Sequence, residues 1–217
     1  LARCGLRLGR GLRPVVMTDQ PTLFLVVLGG RTATCHVELH DVRWVVGSCI
    51  EDTIPSLRRE WFGLQKGLHV DSYKAITQVD GFAIHLMPSA VDQAEFSERD
   101  DAGPVNRLWF VNLGGYMRES LQEQHHFGLV VAGSQQAAKA RAKARWLRNS
   151  LQLHKDDLHS INCVGDVDDC LPIDGLDGWR ITLRKQPSAL EMDLSPDWFG
   201  YWRIDGRRLK PRPDALT

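Results

Sequence analysis

The sequence lacks the features of a membrane protein and has no excess of charge of one sign. Its longest apolar run covers the eight residues from Leu23 to Gly30, far fewer than the roughly 20 that a membrane-spanning helix needs. The 27 basic residues balance the 27 acidic ones, so no overall field attracts nucleic acid or an anionic membrane. With 43% hydrophobic and 25% charged residues, the composition is that of a soluble globular protein with no membrane partner.

Several familiar site motifs are also missing. The five cysteines form no C-x-x-C pair, which argues against a zinc ribbon or a thioredoxin-like centre. An odd number of thiols without such pairs is typical of the reducing cytoplasm, where we expect the protein. No phosphate-binding loop, Rossmann fingerprint or G-x-S-x-G nucleophile motif is found. Nucleotide binding and serine-hydrolase chemistry therefore have no support.

The chain does contain an internal repeat. Shifted by 85 residues, Leu23–Ile76 aligns without a gap on Leu108–Ile161, and 14 of the 54 pairs are identical. A twelve-residue insertion in the second copy then precedes the match of DGFAIHL (80–86) to DGWRITL (177–183). Such self-similarity indicates a duplicated structural unit.

Each copy is predicted to form a small ββαββ unit. The fold class is therefore α+β: a tandem duplication with strands around one helix per unit and a pseudo-two-fold relation between the units. The first strand of each copy is apolar on both faces, as in the interior of a sheet. It ends in a glycine pair whose backbone freedom suits a structural turn. These pairs are Gly29-Gly30 and Gly114-Gly115.

A helix and a hairpin complete each predicted unit. Leu57, Trp61 and Leu64 are spaced to form one helical face in the first copy. In the second copy the same spacing is found at Ala138, Ala142 and Trp146. Asp-Gly at 80–81 and again at 177–178 is typical of tight hairpin turns.

The remaining segments set the predicted boundaries. They are a leader (1–22), the first unit (23–87), a polar linker (88–107), the second unit (108–185) and a C-terminal part (186–217). The basic, acid-free stretch before Met17 is expected to have no fold. Within the C-terminal part, the aromatic segment PDWFGYWRID is predicted to close the second unit, and a tail rich in Pro and Arg follows it.

The same residues carry a family resemblance. LFLVVLGG is followed in order by E-x-H, EDT, EWFG, GLHVDSY and VDG, with PDWFGY near the end. Over about residues 23 to 202, the chain resembles bacterial proteins of the domain of unknown function 1543 family. The resemblance implies a bacterial source and one or two domain copies per protein, and it implies no activity, cofactor or catalytic residue.

Four ionisable positions recur in both copies as E-x-H and H-x-D motifs. Residues two apart on a strand share a face, so the motifs can converge as metal ligands or as an acid/base pair. Histidine with carboxylates suits zinc, manganese or iron. Alternatively, these side chains satisfy buried backbone groups beside the glycine pairs, and this structural role without a cofactor is the one we favour. The residues are Glu38, His40, His69 and Asp71, and then Glu123, His125, His154 and Asp156.

The second helix carries five cations and no acid: Lys139, Arg141, Lys143, Arg145 and Arg148. Such a face can neutralise the phosphates of a nucleic acid. However, the stretch 156–177 of the same unit holds seven aspartates and no Lys or Arg. We therefore expect the helix to be solvated or paired within its own unit.

Taken together, these features favour a non-catalytic binding or regulatory module of the bacterial cytoplasm. A metal-dependent hydrolase built on the repeated Glu, His and Asp residues is the first alternative. A nucleic-acid binder using the second helix is the other. The sequence identifies no partner and leaves assembly into a homo-oligomer open.

Overall fold

The fold is known from a computed structural model that describes residues 20–90, 105–116, 121–146, 170–186, 195–206 and 209–214. The predicted leader up to residue 19, most of the linker, Arg148, His154 and Asp156 lie outside these ranges. The described residues are mostly strands, with two short α-helices. The α+β prediction is confirmed at this level, and both copies contribute strands, one helix and a hairpin.

The elements follow one another in the same general sequence in the two copies. The first copy contains β1 (Thr22–Gly30), β2 (Leu39–Gly47), a 3-10 turn (Ile50–Thr53), α1 (Ile54–Glu60), β3 (His69–Ile76), β4 (Gln78–Val79) and β5 (Phe82–Pro88). The second copy contains β6 (Arg107–Tyr116), β7 (Glu123–Ala132), α2 (Gln135–Trp146), β8 (Cys170–Pro172), β9 (Gly175–Leu176) and β10 (Trp179–Lys185). A last strand, β11 (Trp198–Arg203), follows both copies.

The strands form three sheets, with orders β11-β3-β1-β2, β7-β6-β8 and β4-β5-β10-β9. As predicted, β1 and β6 are interior strands. Their alternating residues serve two cores, because successive side chains point to opposite faces. Leu23 and Leu25 join Leu108 and Phe110 in a core shared by the two copies, whereas Val26 packs towards α1 in a core of the first copy.

The third sheet joins the copies through their hairpins. β5 pairs with β10 in antiparallel register, and His85 lies opposite Thr182. These two residues occupy the same position of DGFAIHL and DGWRITL, so the pairing is centred on equivalent residues. The turns are as predicted, since Asp80 and Asp177 both have a positive φ, as does the glycine after each. Asp tolerates this left-handed conformation better than most side chains.

The strand before the first turn differs from the ββαββ prediction. It is divided into β3, which belongs to the first sheet, and β4, which belongs to the shared sheet. Thr77 lies between the two strands. This break lets one chain segment complete its own unit and also enter the sheet that both copies build.

The helix of the first copy is shorter than predicted. It ends at Glu60, and Trp61 follows in an extended conformation (φ −65°, ψ 125°). The indole is nevertheless buried, and its Nε1 donates to the Leu64 carbonyl at 3.1 Å. Leu64 itself is exposed. Trp61 packs on Gly30, where an added Cβ would lie 2.7 Å from the ring, so packing of the indole on β1 replaces the predicted extra helical turn.

The helix of the second copy follows its predicted pattern. Ala138 and Ala142 are fully buried, and Trp146 packs partly buried against the same core. Trp146 is the last residue of α2. The two tryptophans therefore both contact their cores, but Trp61 is the more deeply buried.

The place of the C-terminal aromatic segment was predicted wrongly. β11 pairs with β3, with Trp198 opposite Tyr73 and Arg203 opposite His69, so the segment completes the first unit. Two carboxylates hold the strand at its ends. Asp197 accepts from Lys74 at 2.8 Å, and Asp205 accepts from the backbone N–H of Gly67 at 2.6 Å.

In the second copy, β8 takes the place that β3 has in the first. Phe110 pairs with Leu171 as Leu25 pairs with Lys74, and Ile173 is buried in the shared core beside Ile76. The ungapped alignment pairs Ile76 with Ile161 instead. The twelve extra residues therefore precede β8, and the gapless register does not extend through this strand.

Two cations of α2, Arg141 and Arg145, pair with a residue of the other copy. Asp80 of the first hairpin turn lies 3.2 Å from Arg141 and 2.5 Å from Arg145, and it is almost fully buried. Its Oδ2 also accepts from the Val131 N–H at 2.7 Å. The equivalent contact of the second turn is longer, since Asp177 lies 3.8 Å from Arg59 of α1. Each hairpin thus reaches the helix of the other copy.

Candidate functional site in the first copy

A gap in the side-chain layer of the first sheet creates the candidate site. Gly29 of β1 lies opposite His40 on β2 and opposite His69 on β3. A Cβ at Gly29 would lie 2.3 Å from Nε2 of His69 and 2.9 Å from Oδ2 of Asp71. The glycine is therefore required because the imidazole and the carboxylate occupy the space that a side chain would fill.

A β-bulge brings Asp71 into this gap. Val27 pairs with Ser72 and Leu28 with Val70, so Asp71 is the extra residue of β3. Bulges of this kind re-aim a side chain and occur often beside functional sites. The H-x-D motif was predicted to place both of its side chains on one face, and the structure does bring His69 and Asp71 together.

His69 is the buried centre of the cluster. Its Nδ1 lies 2.8 Å from the Gly67 carbonyl, and its Nε2 lies 3.1 Å from Asp71 and 3.4 Å from Glu38. Burial lowers the pKa of the imidazole, but the hydrogen bonds to Asp71 and Gly67 and the two negative charges outweigh this, so the pKa is raised. This favours an imidazolium that donates from both ring nitrogens.

The rim of the cluster is accessible to solvent. Glu38 and His40 are substantially exposed, and Asp71 is partly exposed. His40 Nε2 lies 3.3 Å from Asp71 Oδ2, but that oxygen is buried and accepts no hydrogen bond from any described residue. The cluster thus contains one buried carboxylate oxygen that has an ion-pair contact with the exposed His40 but accepts no hydrogen bond from a described residue.

Sequence reasoning missed a fifth member, Tyr201. Its ring lies 4.1 Å from the imidazole of His69, centroid to centroid, and is tilted by 36° to it, and 54% of its surface is exposed. A second irregularity in β11, between Phe199 and Trp202, accompanies this placement. The sequence signal for Tyr201 is the aromatic segment itself, whose predicted place was in the other copy. Below, the term first-copy cluster denotes Glu38, His40, His69, Asp71 and Tyr201.

The second copy keeps the start of this arrangement. Gly114 lies opposite His125, as Gly29 lies opposite His40. His125 Nε2 lies 3.8 Å from Glu123, and its Nδ1 lies 3.2 Å from Asn112. His154 and Asp156, the other predicted members, fall outside the described residues. The prediction of structural turns at the glycine pairs was wrong, because Gly29 and Gly30 belong to β1 and Gly114 and Gly115 belong to β6.

The donor atoms of the first-copy cluster contact one another directly. Across the described ranges, no group of three or more His, Cys, Asp or Glu side chains is arranged to hold a metal ion. The separations of 3.1 to 3.4 Å between the donor atoms are those of ion pairs and hydrogen bonds. As arranged, the cluster can hold a proton on His69 and can accept a donor at Asp71.

The cysteines of the described ranges offer no alternative site. Cys35 and Cys49 are free thiols that are partly buried. Burial raises the pKa of the Cys49 thiol to about 11, which keeps it protonated and unreactive at neutral pH. No helix among the described residues has both the length and the apolar character needed to cross a membrane.

Comparison with known proteins places this site in context. The family model described as Domain of Unknown Function (DUF1543) matches residues 35–86 and 120–171, which confirms two domain copies. The matched ranges include all eight repeated polar residues. The chain is also similar to the protein Il1583 from Idiomarina loihiensis, known from a crystal structure: identity is 35%, the TM-score is 0.57, and the match covers 83% of this chain and 96% of that one. A search of curated proteins finds no match.

Proposed function

Because this chain belongs to the DUF1543 family and carries its domain twice, we propose that it is a non-catalytic binding module whose ligand site is the first-copy cluster. The ligand carries a positive charge and at least one hydrogen-bond donor. The second copy, joined through the shared sheet, serves as the scaffold. The finer architecture that we propose is a pair of units related by an axis passing between His85 and Thr182.

One observation carries the proposal: the buried Oδ2 of Asp71 accepts no hydrogen bond from a described residue, and its neighbour His40, 3.3 Å away, is an exposed side chain. A buried acceptor without a hydrogen bond costs about 1–3 kcal/mol, and a ligand that donates to it would remove that cost. An ammonium or guanidinium group would supply that partner. Such a group would also approach the Glu38 carboxylate and the exposed ring of Tyr201, and carboxylates with an aromatic face are suited to organic cations.

The state of His69 supports binding over catalysis. A general acid or base must exchange its proton with a substrate within hydrogen-bond reach. His69 is 1% exposed, and both of its ring nitrogens already face acceptors. Its role in this proposal is to hold Asp71 and Glu38 in place.

The metal-dependent hydrolase is retained as a second candidate because of one feature. Metal-bound histidines almost always donate their other ring nitrogen to a backbone carbonyl or a carboxylate, and His69 Nδ1 faces the Gly67 carbonyl in this way. A metal would have to replace the proton on Nε2 and separate the carboxylates slightly.

The experiment compares matched positions of the two copies. Untagged protein is titrated with putrescine, arginine amide, zinc chloride and manganese chloride, and the melting temperature is recorded. We expect an organic cation to raise the melting temperature of the wild-type chain. Glu38→Gln should abolish the shift, whereas Glu123→Gln in the second copy should leave it unchanged.

Two outcomes would contradict the proposal. One is the absence of any shift with either organic cation; the other is equal loss of the shift in both variants. Stoichiometric zinc or manganese in the purified protein, lost on His40→Ala but kept on His125→Ala, would instead support the hydrolase candidate.

A further inference from the structure

A second surface of the first copy, away from the first-copy cluster, contacts an extended segment of the same chain. Tyr73, Trp198 and Trp202 line it and are termed here the aromatic face. Tyr73 and Trp198 are stacked with centroids 6.1 Å apart, and Trp202 meets Trp198 edge-on at 6.3 Å. Residues 209–214, with the sequence LKPRPD, lie against this face and are termed the tail.

Two indole groups hold the tail by its backbone. Trp202 Nε1 donates to the Lys210 carbonyl at 3.0 Å, and Trp198 Nε1 donates to the Pro213 carbonyl at 2.9 Å. The two accepting carbonyls are three residues apart. Because a polyproline II helix has three residues per turn, carbonyls with this spacing point the same way, and the prolines at 211 and 213 favour that extended form.

The third contact is electrostatic. The guanidinium of Arg212 lies over the ring of Tyr73, 5.3 Å from its centroid, as in a cation–π pair. All six tail residues are exposed, whereas the three aromatic side chains are buried. The tail thus lies on the surface, and the aromatic face contacts three of its features: two carbonyls, the extended backbone and one cation.

These features are those by which aromatic grooves recognise proline-rich peptides. We infer that the aromatic face is a docking site for an extended Pro-Arg-Pro segment of a partner protein and that the chain's own tail occupies it in cis. The contacts of the tail indicate which chemical groups an occupant of this site needs. Since its contacts need nothing specific to this chain, a partner segment with the same spacing displaces it.

The test weakens the binding of the tail to the aromatic face and supplies the same segment as a separate peptide. Fluorescently labelled peptide LKPRPDALT, which matches residues 209–217, is titrated with the full chain, and anisotropy reports binding. In the full chain, Pro211→Ala, Arg212→Ala and Pro213→Ala together loosen the tail. We expect this variant to bind the peptide at least about tenfold more tightly than the wild type, because a tethered competitor acts at about millimolar effective concentration. Arg212→Ala alone should give an intermediate gain.

A matched pair of substitutions tests the indole hydrogen bonds. Within the loosened chain, Trp202→Phe keeps an aromatic ring but removes the donor, and it should weaken peptide binding. Trp109→Phe is the control, since its Nε1 also donates to a backbone carbonyl, that of Ala132, but in the second copy. The inference is overturned if loosened and wild-type chains bind alike, if neither binds, or if both Trp→Phe variants lose binding equally.

Discussion

In the first copy, a glycine is flanked by His40 and His69, and the space above it holds Asp71. In the second, the equivalent Gly114 lies opposite His125, whose described neighbours are Asn112 and Glu123. The copies also differ at their edges among the described residues, because β11 pairs with β3 of the first copy. Duplication has therefore preserved the strand framework, while β11 adds Tyr201 to the cluster of the first copy.

The contacts between the copies show a similar inequality. The first hairpin turn places Asp80 between two arginines and a backbone N–H. The second turn places Asp177 at 3.8 Å from one arginine that is itself exposed. The contacts at equivalent positions of the two copies thus differ in how strongly they stabilise the fold. Substituting both members of each equivalent pair measures this difference in the free energy of unfolding.

The largest difference in stability between equivalent positions is expected at the tryptophans. Trp61→Ala should reduce the free energy of unfolding by about 3–5 kcal/mol, because a buried indole is lost from a packed core. Trp146→Ala should cost about 1–2 kcal/mol, since this side chain is only partly buried. Urea denaturation followed by circular dichroism measures both values. Equal losses would show that the difference in burial between Trp61 and Trp146 does not determine how much each contributes to stability.

The next effect concerns the histidines. His69→Gln leaves two carboxylates beside an uncharged side chain, and we expect a loss of about 3 kcal/mol. His125→Gln, at the exposed position of the second copy, should change the free energy of unfolding by less than about 0.5 kcal/mol. The same denaturation experiment applies. A small effect at His69 would mean that its contacts do not stabilise the first sheet.

A smaller effect is expected at the hairpin turns. Asp80→Asn removes a buried charge that faces two arginines, and it should cost about 2 kcal/mol. Asparagine tolerates the positive φ of this position, so the backbone is not strained. Asp177→Asn should cost at most about 0.5 kcal/mol, as for an exposed ion pair. If raising the salt concentration abolishes the Asp80 effect, then the pair is screened by solvent and is not buried.

The smallest effect is a dependence on pH. The pKa of His69 is raised in the folded chain, so its stabilisation is complete below the unfolded value of about 6.5 and is lost as the pH rises through the folded value. The stability difference between wild type and His69→Gln should therefore narrow as the pH rises above about 6.5 and through the raised pKa of the folded chain. Matched melts of His125→Gln provide the control. A gap that widens over this range would contradict the raised pKa.

Much of this arrangement was predictable from local patterns. The ungapped repeat predicted β1 and β6 as interior strands, since apolar residues on both faces must be covered on both sides. Asp-Gly predicted both hairpin turns, because few other dipeptides accept the left-handed backbone. The E-x-H and H-x-D motifs contain four of the five residues of the first-copy cluster, but regular alternation does not account for Asp71, which the β-bulge of β3 brings into the cluster.

The errors arose where distant segments meet. Trp61 leaves the helical pattern because Gly30, on another strand, offers its indole a surface. The aromatic segment was assigned to the nearer unit, whereas β11 pairs with β3, more than a hundred residues earlier in the chain. The contact of Asp80 with Arg141 and Arg145 of the other copy was not predicted, because no local pattern indicates it.

The sequence by itself determined the duplication, the strand cores, the turns and the residue types of the polar cluster, because these follow from periodicity, backbone preference and spacing along one segment. Only the tertiary structure decided which copy receives β11, which oxygen of Asp71 accepts no hydrogen bond from a described residue, and which face holds the tail. Those outcomes depend on contacts between residues far apart in the chain. Such contacts are selected by the total free energy of packing and leave no local pattern to read.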